Sequence, residues 1–138
     1  MTSALGIAVS GMAAASLRLV ASASNVANME SDGPVPQAGP QQPVPQTPGS
    51  VYQPLTVTQS PLPGGGVTAA LAPALPSYSL LYNPTAPNAD AQGMVAAPNV
   101  DLAQEVVNQL SASIAYKANI HALKAADSAL KTLLDAIA

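Results

Sequence analysis

The sequence predicts a mainly α fold. N- and C-terminal helices pair as an elongated coiled coil, with a Pro-rich, small and weakly β loop segment between them. Three observations carry this reading. All 14 prolines lie between Pro34 and Pro98, and a proline inside a helix costs about 3 kcal/mol, so the ends are free to be helical and the middle is not. Both ends place apolar residues at heptad spacing. From Leu102 to Ile137 nothing breaks a helix. The chain divides accordingly into 1–32, an N-terminal helix; 33–50, a Pro/Gln-rich flexible linker; 51–98, a short β and loop segment; and 99–138, a long C-terminal helix.

At the N-terminal end Leu5, Val9, Met12, Ser16, Leu19, Ala23 and Val26 are spaced alternately four and three, which argues for a helix over roughly residues 3–28. Arg18 is its only charge, and Ile7, Leu17 and Val20 put apolar groups on other faces. A helix that is apolar or small nearly all round wants burial on several sides. A chain of this size offers too little material for that, so other subunits are expected to supply it. Ala4–Ala15 followed by Ala21-Ser22-Ala23 has the outline of a secretory signal, but no positive segment precedes it and Arg18 interrupts it. Residues 1–17 are rich in Ser, Gly and Ala rather than in the large apolar residues of a spanning helix. Neither a cleaved signal nor direct membrane insertion is expected.

In the middle, Gly33–Gly49 is dominated by Pro, Gly and Gln and has almost nothing to bury, so it reads as a flexible or polyproline-type tether. Val51–Gln59 alternates apolar and polar, with Pro54 demoting it to an edge strand. Pro61–Gly66 reads as a turn in which Gly64-Gly65-Gly66 lacks the Lys and Ser/Thr of a phosphate loop, Val67–Leu71 and Ser77–Tyr82 as two weak strands, and Asn83–Val100 as an extended loop.

Asp101 is a good N-cap for the last helix, with Gln104 three residues on in capping-box position and Glu105 placing negative charge where the helix dipole favours it. Thirty-six residues at 1.5 Å each span about 54 Å, too long to lie on a compact core of this size. Leu102, Val106, Leu110 and Ile114 make one stripe; Tyr116, Ile120, Leu123, Leu130, Leu134 and Ile137 continue a seam interrupted by Asp127. Lys117, Lys124 and Lys131 repeat every seven residues beside it, either as a solvated stripe or as partners for acidic groups of a neighbouring subunit. Asn119 in mid-helix is a poor helix former, which points to a packing or polar contact.

Composition excludes several functions. Four Lys and Arg cannot neutralise a phosphate track, so no nucleic acid is expected as a partner. Without cysteine there is no disulfide framework, zinc ribbon or thiol chemistry. His121 has no second ligand at helical spacing, and Asp101 with Glu105 reads as helix-end charge rather than as an acid/base pair. No catalysis, cofactor, metal or small-molecule substrate is expected.

Ser24-Asn25-Val26-Ala27-Asn28 resembles the S/N-N-I/L/V-A-N signature near the N-terminus of the flagellar rod and hook proteins. Glu105-Val106-Val107, Ala112 and Tyr116-Lys117-Ala118-Asn119 resemble their C-terminal signature. The run Tyr82-Asn83-Pro84, Pro87-Asn88-Ala89-Asp90, Gly93-Met94-Val95 and Pro98-Asn99-Val100 is similar to a segment of the proximal-rod branch of the flagellar basal-body rod family. The resemblance implies a structural subunit that polymerises through its terminal helices into the drive shaft between ring and hook. It implies itself and other rod subunits as partners, contact with the basal-body ring and the export apparatus, and export into the periplasm-spanning rod without a cleaved signal.

The assembly residues expected on this reading are Leu5, Val9, Met12, Leu19, Asn25, Val26 and Asn28 on the first helix. On the second they are Leu102, Val106, Leu110, Ile114, Tyr116, Asn119, Ile120, Leu123, Leu130, Leu134 and Ile137. Asn25 and Asn28 read either as helix C-caps, since Asn tolerates the left-handed conformation, or as a lock between neighbouring subunits. On the lock reading Asn25→Ala weakens assembly more than the monomer. The alternative function is a Pro-rich adaptor that its coiled-coil ends merely dimerise, acting through Pro34–Pro48 or Pro84–Pro87.

Overall fold

The computed structural model describes residues 4–137. Helix α1 (Ala4–Asn28) is followed by strands β1 (Leu55–Pro61), β2 (Val67–Pro73), β3 (Tyr78–Tyr82) and β4 (Met94–Pro98), and the chain closes with helix α2 (Leu102–Ile137). The two helices pack against each other along α1, and the strands form two separate antiparallel hairpins, β1–β2 and β3–β4.

The helices run antiparallel, because Ser22 and Asn25 bond to Glu105 while Gly11 lies against Asn119. By that register Ala4 stands level with about residue 126, so the last turns of α2 run on beyond it for about 16 Å. Asp101 caps α2 as expected: its Oδ1 accepts from Ala103 N at 2.9 Å and from Gln104 N at 3.4 Å. The capping box is not closed, for Gln104 donates instead to Asn108 Oδ1. Asp127 accepts from the Lys131 ammonium at 2.8 Å, and that hydrogen bond, together with its charge, holds Lys131 above its ordinary pKa.

Small residues, not the heptad of large ones, face inward on α1. Ala8, Ala14, Ala15, Ala21, Ser22 and Asn25 are its buried residues. Gly11 and Ser22 look toward α2, and Ala14 lies beside β2 in the cleft it shares with Ser10, Val67 and Thr68. Small side chains let backbones approach, and Gly11 marks the limit: a Cβ there would stand 2.5 Å from Asn119 Oδ1. By length and composition α1 could cross a membrane; in the structure it lies along α2 and the β1–β2 hairpin.

The β1–β2 hairpin follows α1. Its register runs from Leu55↔Pro73 to Pro61↔Val67, and Val67 N donates to Ser10 Oγ at 3.2 Å. The turn at Gly64-Gly65-Gly66 has φ of +95°, +102° and +89°, a region open to glycine without steric cost. Strand β4 falls within the stretch that the sequence reads as an extended loop. Its Ala-rich run ending in Pro98 has weak strand propensity, and pairing with β3 supplies what propensity does not. Val95 and Ala96 are fully buried there.

The Pro-rich stretch is bound to the body rather than left as a free tether. Gly33 exchanges two backbone bonds of 2.9 Å with Ala96. The buried Gln53 side chain accepts from Val44 N and donates to the carbonyls of Pro54 and Ala74. Ser77 Oγ donates within 3.0 Å of the carbonyls of Pro40 and Gln42, and Tyr78 OH donates to Ala38 O. Proline carbonyls keep full acceptor capacity although the N–H is missing, so a Pro-rich segment can be held by donors that come to it. The result buries Val44 with Val51, Tyr78 and Ala96 in one small apolar cluster.

Gly33 is placed where no side chain fits. A Cβ would stand 2.5 Å from Val51 N and 2.8 Å from its Cα, and backbone cannot swing aside. Gly33→Ala is expected to lower the stability of the chain by about 1–3 kcal/mol, read as a reduced urea midpoint by circular dichroism.

Candidate assembly interface

Where α1 ends and α2 begins, one asparagine joins three elements. Asn25 is 2% exposed. Its Oδ1 accepts from Leu55 N at 2.8 Å and from Tyr52 OH at 3.0 Å, and its Nδ2 donates to Leu55 O and to Glu105 Oε1, both at 2.8 Å. By bonding both backbone groups of Leu55, the side chain acts as a stand-in for a neighbouring strand and fixes where β1 starts. An amide side chain has two donor and two acceptor positions, and all four are filled.

Around it the network continues. Glu105 is buried; its Oε2 accepts from Asn108 Nδ2, and its backbone carbonyl accepts from Ser22 Oγ at 3.1 Å. Ser24 Oγ lies 2.9 Å from Tyr52 OH and donates to it, since the single tyrosine proton goes to Asn25. Beside this junction lies a polar cleft of about 310 Å³ lined by Arg18, Ser22, Thr56, Gln59, Glu105 and Asn108, among others. Arg18 makes no ion pair among the described residues, whose one salt bridge is Asp127–Lys131.

These bonds revise the expectations for the two asparagines. Asn25 has no hydrogen-bonding capacity left for a neighbouring subunit. Asn28 donates to Ser24 O at 2.8 Å, and among the described residues no residue other than glycine has a positive φ. Neither asparagine is a left-handed cap. The sequence flagged Glu105 as first-turn charge, which it is, but its bond to Asn25 depends on a pairing 80 residues apart. Tyr52, Ser22 and Gly11 were not singled out. The alternation of small residues at Ala8, Gly11, Ala15 and Ser22 was the signal available for the last two.

The remaining candidate residues fall into three groups. Leu5, Met12, Leu19, Val26 and Asn28 are half-buried along the flank of α1, and Val9 is exposed. Asn119, Ile120 and Leu123 are half-buried on α2, with Tyr116 at the rim. Leu102, Val106, Leu110 and Ile114 form an exposed stripe, and Leu130, Leu134 and Ile137 are exposed beyond the reach of α1. The large apolar side chains at heptad spacing thus stand mostly outside, and the buried ones are small.

Asn25→Ala strands the half-buried Leu55 N–H and C=O and removes a donor from the buried Glu105. Each unsatisfied buried group costs about 1–3 kcal/mol. The variant is expected to destabilise the monomer by at least that much in urea denaturation, rather than to act on assembly alone. Gly11→Ala is expected to displace the Asn119 side chain from its 2.8 Å bond to Ala115 O and lower the thermal midpoint, with Asn119→Ala restoring part of the loss.

Comparison with known proteins agrees with this architecture. Residues 91–136 match the model of the family described as flagellar basal body rod FlgEFG protein C-terminal. The flagellar basal-body rod protein FlgC of Salmonella typhimurium is 40% identical over 129 residues, covering 92% of this chain and 91% of the relative. That of Yersinia enterocolitica is 41% identical over 130 residues with the same coverage, and that of Aquifex aeolicus 33% identical over 86% of this chain and 84% of the relative. With relatives 40% and 41% identical over 92% of its length, the chain belongs to the FlgC family of flagellar basal-body rod proteins.

Proposed function

We propose that the chain is a structural subunit of the proximal part of the flagellar basal-body rod and polymerises through its terminal helices into the shaft that carries torque from ring to hook. The observation that carries this is the inverted arrangement of α1 and α2. Their small residues are spent on each other, and Val9, Val20, Leu102, Val106, Leu110 and Ile114 are left facing out. Exposed apolar surface on this scale marks an interaction site, and here it runs along two helices. In the assembled shaft those heptad faces pack as coiled coils with helices of neighbouring copies and of other rod subunits.

On this reading the chain meets the basal-body ring at one end of the shaft and passes through the export apparatus without a cleaved signal. It inserts into no membrane, binds no nucleic acid or small molecule, and catalyses nothing. The four-part division of the chain fits it: the helical parts at 1–32 and 99–138 supply the shaft, and 33–50 with 51–98 brace their junction. That bracing also weighs against the adaptor reading. The carbonyls of Pro40 and Gln42 are taken by Ser77 and the backbone N–H of Val44 by Gln53, so the stretch is not a free polyproline ligand.

Leu110→Glu, at a position 60% exposed, is expected to leave the circular dichroism of the monomer unchanged. Cells carrying it as their only copy should be non-motile, with basal bodies lacking a complete rod by electron microscopy. Complete rods in a strain deleted for the gene would overturn the proposal.

A further inference from the structure

We infer that the Asp32–Gly33 bond is a site of isoaspartate formation that folding closes, and that isoaspartate there is incompatible with the native bridge between Gly33 and Ala96. Asp32 is the one aspartate or asparagine of the chain that a glycine follows. In such a pair no side chain shields the next amide, so the glycine nitrogen can attack the aspartyl Cγ. The bond formed joins Gly33 N to Asp32 Cγ. The amide proton and the carboxyl hydroxyl leave as water, and the product is a succinimide. Water then adds back to the ring. Addition at Cγ restores aspartate. Addition at the Asp32 main-chain carbonyl gives isoaspartate, whose backbone runs through Cβ and Cγ while the former main-chain carbon carries the carboxylate. Mass and net charge are unchanged, and nothing is oxidised or reduced.

The folded chain withholds the nucleophile. Asp32 is exposed, so its carboxyl is open to water, but Gly33 is buried. Gly33 N donates to Ala96 O and Gly33 O accepts from Ala96 N, both at 2.9 Å. The nitrogen must give up that proton and turn toward Asp32 Cγ, which breaks the bridge. The residues on either side are held too. Ser31 N and Oγ both donate to Asn28 O, at 3.1 and 2.7 Å, and Asp32 Oδ1 accepts from Asn88 Nδ2 at 3.5 Å. The reaction therefore proceeds from a locally or globally opened chain, at a rate scaled by the opening equilibrium.

The product does not fit back. Isoaspartate puts one extra backbone atom between Asp32 Cα and Gly33 N, and Gly33 has no room to take up the displacement. A Cβ on it would meet Val51 N at 2.5 Å and the Ser50 carbonyl carbon at 3.1 Å. Its bridge partner Ala96 is fully buried in the apolar cluster with Val44, Val51 and Tyr78. A shifted Gly33 either leaves the Ala96 backbone groups without partners, which is costly for buried groups, or drives its own backbone into Val51. The damage falls on the clip that ties the exit of α1 to β4, and it is independent of whether the chain serves in the rod.

The full-length chain is incubated at mildly acidic pH, folded in buffer and unfolded in urea. Isoaspartate is followed by labelling with an isoaspartyl methyltransferase. It is placed at Asp32 by lost cleavage with an endoprotease that cuts before aspartate but not before isoaspartate. Modification at Asp32 should be roughly tenfold or more slower in the folded chain. After removal of urea, the isoaspartate-bearing fraction, separated by chromatography, should show a lowered urea midpoint by circular dichroism, as Gly33→Ala does. Asp32→Glu keeps the charge but disfavours ring closure, and it should refold to its starting midpoint after the same incubation. Equal rates in folded and unfolded chains overturn the protection. A modified fraction with the midpoint of the unmodified chain overturns the incompatibility with the bridge, and an unfolded chain that gains no isoaspartate at Asp32 overturns the site itself.

Discussion

Everything at the junction depends on the hydrogen bonds of one amide. Asn25 reads both backbone groups of Leu55 and the carboxylate of Glu105, so it fixes the start of the first hairpin and the register of the two helices together. An apolar residue of the same size could fill the space but could not choose among registers. Small residues slide past one another with little change in packing, whereas a buried amide with all four positions filled is satisfied in one arrangement only. The Ala- and Gly-rich side of α1 makes close approach possible, and Asn25 makes it specific.

The same division of labour holds in the middle of the chain. The apolar cluster of Val44, Val51, Tyr78 and Ala96 is small, and what holds the proline stretch to it is a set of polar side chains. Gln53 and Ser77, both buried, bring donors and acceptors to backbone that cannot form a ladder of its own.

Much of this was legible in the sequence. Pro34 and Pro98 bracket the part that cannot be helical, Asp101 announces the start of α2, and strands β1 to β3 lie near the alternating stretches. β4 was hidden because Met94–Pro98 is short, rich in alanine and made a strand by a partner twelve or more residues away. The inward sides of the helices were hidden for a different reason. A pattern search weights large apolar residues, but the buried positions of α1 are taken by alanine, serine and asparagine, with most of its large residues half-buried on the flank. On α2 the stripe Leu102, Val106, Leu110 and Ile114 records a face left uncovered, whereas on α1 the heptad runs along a half-buried flank. Glu105 and Asn25 could be placed only once the chain had brought positions 80 residues apart together.

The smallness of that core has a thermal consequence. The heat capacity of unfolding comes mainly from apolar surface exposed to water, and polar surface works against it. A monomer that buries few large apolar groups and many hydrogen bonds has a stability curve of low curvature. On the rod reading the exposed large side chains on the outer faces lose their water when subunits meet, which moves much of the apolar heat-capacity change to association. On the same reading, association through those faces is driven by solvent entropy and weakens in the cold.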